Sequence, residues 1–245
     1  MTTSGQGQTP RYRSLDATRI HATVEQLAVR VGQRFPESSL AGIAAELVSL
    51  SRDVSLRLVK FSRPHTGLRL LIFLMLALVF GALLTIPFLL KDVGTQEIRS
   101  LLAFIQVLEP ALGTAVFLGA FTVYLLSRET EGKRRNAFDS LHEVRSMAHV
   151  VDMHQLTKDP VSMRRAGSTE ASPVRNLSDE DLTRYLDYCT EMLALLSKLG
   201  ALHAQDFPDA PVIQAVDEIE DLCTGLSRKI WQKLVLIGRD DSLAG

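Results

Sequence analysis

Cysteine and aromatic rings are scarce in this chain, and neither sign of charge is in excess. Only two cysteines, Cys189 and Cys223, occur in 245 residues. Two thiols so far apart supply neither a zinc motif nor the disulfide framework of a small secreted domain. Aromatic residues make up 6%, while Leu and Ala dominate, which favours helix over strand. No run of strand length alternates apolar with polar residues, so a sheet has little to be built from. Lys+Arg number 27 and Asp+Glu 28, without the basic excess that nucleic-acid binding requires. A P-loop, a glycine-rich dinucleotide fingerprint and a nucleophile elbow are also missing, and with them the usual grounds for an enzyme or a bound cofactor. The expectation is a non-enzymatic chain with no cofactor and no nucleic-acid partner.

What is present is a long oily run. Between Arg69 and Lys91, residues 70–90 carry no charge. At about 1.5 Å per residue they reach roughly 31 Å, the thickness of a bilayer's hydrocarbon core. A second apolar stretch covers 101–127 but contains Gln106 and Glu109. Proline suits the first helical turn and disfavours helix just before itself. A second span from Pro110 to about Ser127 is therefore expected, with 96–108 as a separate short helix on the outer surface. The competing reading is one tilted helix over 101–127. Arg52, Arg57, Lys60, Arg63 and Arg69 precede the first span, and Arg128, Lys133, Arg134, Arg135 and Arg145 follow the second. The intervening 91–100 holds only Lys91 and Arg99. That asymmetry places both termini inside the cell. The lipid bilayer is then the first partner. Small residues recur at i, i+4: Ala77, Gly81 and Thr85 in the first span, Ala111, Ala115 and Gly119 in the second. Such stripes let helices approach closely, within the hairpin or between copies.

The flanks read as cytosolic helices. Residues 1–13 are polar and expected to be disordered. Over 14–66, a helix capped by Ser14 carries Ile20, Val24, Leu27 and Val31. After FPESS, a second carries Leu40, Ile43, Leu47, Val54, Leu58 and Phe61. The hairpin occupies 67–127, and a membrane-proximal helix 128–158. A Ser/Pro/Arg-bearing linker covers 159–177, and an antiparallel helical hairpin 178–238. Ser178, with Asp181 three residues on, is a capping signature. Leu182, Leu186, Cys189, Leu193, Leu196 and Leu199 face Val212, Val216, Ile219, Leu222, Leu226 and Ile230 across the turn at Phe207.

Three sets of residues invite a chemical reading. His142, His149 and Asp152 lie on one helical segment with Asp139 and His154, a composition that suits a metal or ligand. His142 and His149 nearly align but stand about 10 Å apart along the axis, so they cannot share one metal directly. His149 and Asp152, at i, i+3, are neighbours. Arg228, Lys229, Trp231 and Lys233 join cations to an indole, as a helix resting on anionic lipid does. Glu109-Pro110, with Gln106, puts a carboxylate at a span's edge, where charge is costly. In an oligomer it repeats as a ring at the outer mouth of a pore.

Residues 105–110, Ile-Gln-Val-Leu-Glu-Pro, at the outer start of the second of two spans, resemble the WDxxEP pore signature of mitochondrial-calcium-uniporter-type channels. Ile105 stands at its tryptophan and Gln106 at its aspartate. The resemblance implies an oligomeric ion channel. The segments LHEVRSMAHVVDMHQLTKDP and AVDEIEDLCTGLSRKIWQKLVLI are similar to stretches of uncharacterised bacterial two-span integral membrane proteins, which implies a bacterial plasma membrane and no activity. The expected fold is all-α: a two-helix transmembrane hairpin with a cytosolic helical bundle built from both flanks. The expected function is anchor, scaffold or regulator, binding a cytosolic partner or a second copy; the alternative is the channel.

Overall fold

The computed structural model of the chain describes residues 14–61, 66–90, 97–156, 158 and 177–241. Among these, every regular element is a helix: α1 (Ala17–Arg34), α2 (Ser39–Phe61), α3 (Thr66–Leu90), α4 (Glu97–Leu156), α5 (Asp179–Asp206) and α6 (Ala210–Asp241). The all-α expectation holds. The polar segment 1–13, the loop residues 91–96 and linker residues 159–176 lie outside the described residues. The chain divides into two units, Met1–Ser62 with Asn136–Gly245, and Arg63–Arg135. α4 contributes residues 97–135 to the second unit and 136–156 to the first.

The larger unit is a helical bundle whose apolar positions follow the predicted helical spacing. Ile20, Val24, Leu27 and Val31 of α1 are buried, as are Leu40, Ile43, Leu47, Val54 and Leu58 of α2. α5 is the hub. Its Leu182, Leu186, Cys189, Leu193, Leu196 and Leu199 are buried, and it packs on α6, α1 and α2. Apolar burial of this kind supplies most of a bundle's stability. Ala137, Leu141, Val144, Ala148 and Val151 of α4 fill the remaining side. There Leu141 and Ile219 come within 4.0 and 3.5 Å of where a Cβ on Gly200 would stand.

Helix ends are fixed by side chains. α1 is capped by Asp16 rather than Ser14; its Oδ1 accepts from the Thr18 and Arg19 amides at 2.9 and 3.3 Å. A carboxylate there also answers the positive end of the helix dipole. Ser178 caps α5 as expected, its Oγ accepting from the Asp181 amide at 3.1 Å. Ser178 Oγ donates in turn to Asp181 Oδ2 at 2.9 Å. That bond, and then the Arg34 guanidinium, hold the Asp181 carboxyl below the usual range. Residues 207–209 close the hairpin, with the Phe207 amide on the His203 carbonyl at 2.9 Å.

The smaller unit has the opposite surface. Along α3, Leu70, Phe73, Leu74, Leu76, Phe80 and Leu84 are exposed, and along α4, Leu112, Val116, Phe117, Val123 and Tyr124 are too; Phe73 and Phe117 each reach 71%. Among the described residues no helix is long and apolar enough to cross a membrane. Residues 78, 82, 83 and 85–90 of the oily run, however, lie outside the described side chains.

One expected boundary is absent. No helix begins at Pro110, and 96–108 is not a separate surface helix. α4 runs unbroken through Pro110 from Glu97 to Leu156, closer to the single-helix reading. Proline removes one amide donor and crowds the carbonyl four residues back, but the helix-favouring residues on both sides carry the turn through. The expected change from span to membrane-proximal helix at 127–128 is thus a change of chemistry along one helix rather than a break.

Candidate functional site

The residues of the bundle unit that face outward with unusual chemistry lie in two grooves. The first, about 530 Å³, runs between α4 and α6 and is lined by Phe138, Asp139, His142, Arg145, Gln214 and Glu218 among others. Arg145 spans it to Glu218 at 3.2 Å. The second, about 490 Å³, lies where α1, α5 and α6 meet and is lined by Arg30, Arg184, Asp187, Tyr188, Trp231 and Leu234 among others. There the Arg30 guanidinium sits over the Tyr188 ring, 5.8 Å from its centroid, and bonds the Glu191 carboxylate through both terminal nitrogens. A paired arginine stacked on a ring is fixed in place. Phe35 stands edge-on to Tyr185 and Tyr188, at 5.9 and 6.3 Å.

The expected His/Asp site is not assembled. His142 reaches the first groove, and His149 is exposed one heptad further along α4. Asp152 turns to Gln155, accepting from Nε2 at 2.7 Å, and His154 Nδ1 lies 2.9 Å from its own helix's Val150 carbonyl. Among the described residues no group of three or more His, Cys, Asp and Glu could hold a metal ion. The cause is geometric: residues on one helix need ligands from a neighbour, and α6 offers Glu218 already paired with Arg145.

The expected membrane-surface set is split. Arg228, Lys229 and Trp231 are exposed, Trp231 at 64%. Lys233 is not available to a surface. Its Nζ donates to the Gln155 carbonyl at 2.9 Å and to Gln155 Oε1 at 2.6 Å. Gln155 is buried and belongs to the last turn of α4, where carbonyls lack helical partners and the dipole is negative. An ammonium answers both deficits. Sequence reading missed Gln155, although one signal was there: Lys233 lies between Ile230 and Ile237 on the inward face of α6, where a cation needs a partner.

In the smaller unit Glu109 and Pro110 are exposed, and Gln106 lies outside the described side chains. Ala77, Gly81, Ala115 and Gly119 are exposed; Thr85 and Ala111 lie outside the described side chains. Among the described residues nothing stands within 4 Å of a Cβ placed on Gly81 or Gly119.

Two buried polar atoms have no partner among the described residues, Ser140 Oγ and His203 Nε2. The other His203 nitrogen lies 3.1 Å from the Leu199 carbonyl, and burial pushes the ring's pKa down. Both thiols are buried; burial raises Cys189 to about 12 and Cys223 to about 11. Neither is a nucleophile at neutral pH.

No family model, curated protein or solved structure matches this chain. Any functional reading therefore starts from its own surfaces.

Proposed function

We propose that this chain is an integral membrane protein of anchor, scaffold or regulatory type. In this reading α3 and the apolar first part of α4 form a two-helix hairpin in a bacterial inner membrane. The bundle unit stands in the cytosol as a non-enzymatic surface for a partner or a second copy. The supporting observation is the contrast in exposure. The bundle unit packs most of its large apolar side chains into one core and leaves scattered ones such as Leu56, Val59 and Trp231 outside, whereas none of those described along α3 and the first part of α4 is buried. An apolar surface of that extent in water invites aggregation, whereas lipid accommodates it. The charge-free run 70–90 and its Lys/Arg flanks point the same way.

The test is fractionation. The full chain is expected in the membrane fraction after alkaline carbonate washing, soluble only with detergent, with tags on both ends shielded in intact cells and reached once the cells are opened. A chain that stays in solution without detergent, or tags reachable from outside intact cells, would overturn the reading.

The channel reading is favoured by one observation. Glu109 is an exposed carboxylate among the exposed apolar Ile105, Leu112 and Val116 of α4, where an isolated charge in lipid is costly. Reconstituted protein should then pass cations, and Glu109→Gln should change that flux; no flux from the wild-type chain rules it out.

A further inference from the structure

α6 is polarised along its length. Its first half carries Asp217, Glu218, Glu220 and Asp221 and no base; residues 222–239 carry Arg228, Lys229, Lys233 and Arg239 and no acid. Two of these charges are engaged by α4, Glu218 by Arg145 at the surface and Lys233 by the buried Gln155. The other inter-helix arginines of the unit are also paired: Arg30 with Glu191, Arg34 with Glu180 and Asp181, Arg57 with Glu143. Asp217, Glu220 and Arg228 make no such pair among the described residues.

Those three lie on the outward stripe of α6 with Ile213, Thr224, Trp231 and Val235. All are exposed except Glu220, which is half-buried. Their spacing is symmetric about Thr224: 220 and 228 are four residues away, 217 and 231 seven, and 213 and 235 eleven. At about 100° per residue all fall within roughly 40° of Thr224, on one face about 33 Å long. A two-fold axis at Thr224 would lay this face antiparallel on its own copy. Glu220 would then meet the second copy's Arg228, and Ile213 its Val235. Asp217 would meet Trp231, whose indole N–H is a donor suited to a carboxylate. A parallel pairing would instead set acid on acid and base on base.

We propose that the outward face of α6 is a two-fold interface between copies of this chain, crossing at Thr224. The partner is argued from charge: the face carries both signs, and under the two-fold Glu220 and Arg228 each stand opposite the other's copy while Asp217 stands opposite a neutral donor, as a self-complementary interface requires. Trp231 is the anchor, tryptophan being, with tyrosine and arginine, enriched among the residues that dominate such interfaces. This gives the self-association of the proposed function a surface, and it rests on that reading for its biological sense alone.

The experiment uses the full chain, in detergent if extraction requires it and in buffer if not, so the outcome does not depend on the membrane reading. Light scattering across a dilution series gives the particle mass. The wild-type chain is expected as a dimer. Glu220→Arg and Arg228→Glu should each shift the dilution midpoint toward monomer by about tenfold or more, because symmetry reverses two pairs at once. The double swap should restore it. Thr224→Cys should cross-link to a dimer under mild oxidation, while Glu46→Cys, exposed on α2, should not. Circular dichroism confirms that each variant keeps its helix. A monomeric wild-type chain overturns the proposal. So does a dimer whose midpoint ignores both single swaps, or a Thr224→Cys chain that cross-links no better than the control. An emission shift of the sole tryptophan on anionic vesicles, with no dimer in solution, would assign the face to lipid instead and overturn it as well.

Discussion

At the scale of single residues, His203 carries the clearest pH signature. Its ring is buried, one nitrogen has no partner, and burial lowers its pKa from the ordinary 6.5. The ring's bonds to the Leu199 and Gly200 backbone and the Asp206 carboxylate oppose the shift, while the neighbouring Arg57 charge adds to it. The folded chain thus binds a proton less readily than the unfolded chain. Above the ordinary histidine range both states are neutral and nothing changes. As the pH falls from about 6.5 toward the folded pKa, the unfolded state takes up the proton first and stability is lost. Denaturation midpoints of the bundle unit should therefore drop between pH 7 and 5, and His203→Leu should flatten that slope. An unchanged slope in His203→Leu would move the origin elsewhere. His21, by contrast, has partners at both ring nitrogens, Ser51 Oγ at 2.6 Å and Glu25 at 3.4 Å.

At the scale of elements, the end of α4 shows why a polar group is tolerated inside. Asp152, Gln155 and Lys233 form a short chain of bonds that joins α4 to α6. Lys233→Met would leave the buried Gln155 Oε1 without its donor, at a cost of about 1–3 kcal/mol, while the Gln155 carbonyl keeps the Lys158 amide at 3.1 Å. Chemical denaturation of the extracted protein measures it, and Lys229→Met, one turn away and exposed, serves as the near-neutral control. Most helical faces in the bundle were legible beforehand, because apolar residues at three- and four-residue spacing leave little choice of inward side. The Ser178 cap was legible too, its serine-to-aspartate spacing being a local signal. The start of α1 was displaced because Ser14 and Asp16 are both competent caps and only geometry separates them. Pro110 misled because proline's local preference is one term among many in a helix as long as α4. The Gln155–Lys233 bond was out of reach, since nothing local says which helix's end a lysine will meet.

At the scale of the whole molecule, the buried apolar cluster belongs to one unit: among the described residues its members run from Ile20 to Ile237, and none lies in 63–135. Two units with their own contacts need not unfold together. Leu196→Ala, which empties a fully buried site on α5, should lower the bundle unit's thermal transition by an amount equivalent to about 2–5 kcal/mol. Helix signal from α3 and the first part of α4 should persist past that transition. A single transition that the substitution moves as one would show the units to be thermodynamically fused. The candidate sites were less legible than the fold. His142, His149 and Asp152 share a segment but face different neighbours, and composition alone cannot reveal that Asp152 is already engaged.

The sealed position of Cys189 and Cys223 has a practical yield. Thiol reagents attack the thiolate, and at these two sulfurs that form is both scarce and out of reach. The wild-type chain therefore serves as its own blank for site-directed labelling. A cysteine introduced at any exposed position can carry a spin label or fluorophore without first removing the native pair, so distances between chosen points can be read in a background that has not been altered.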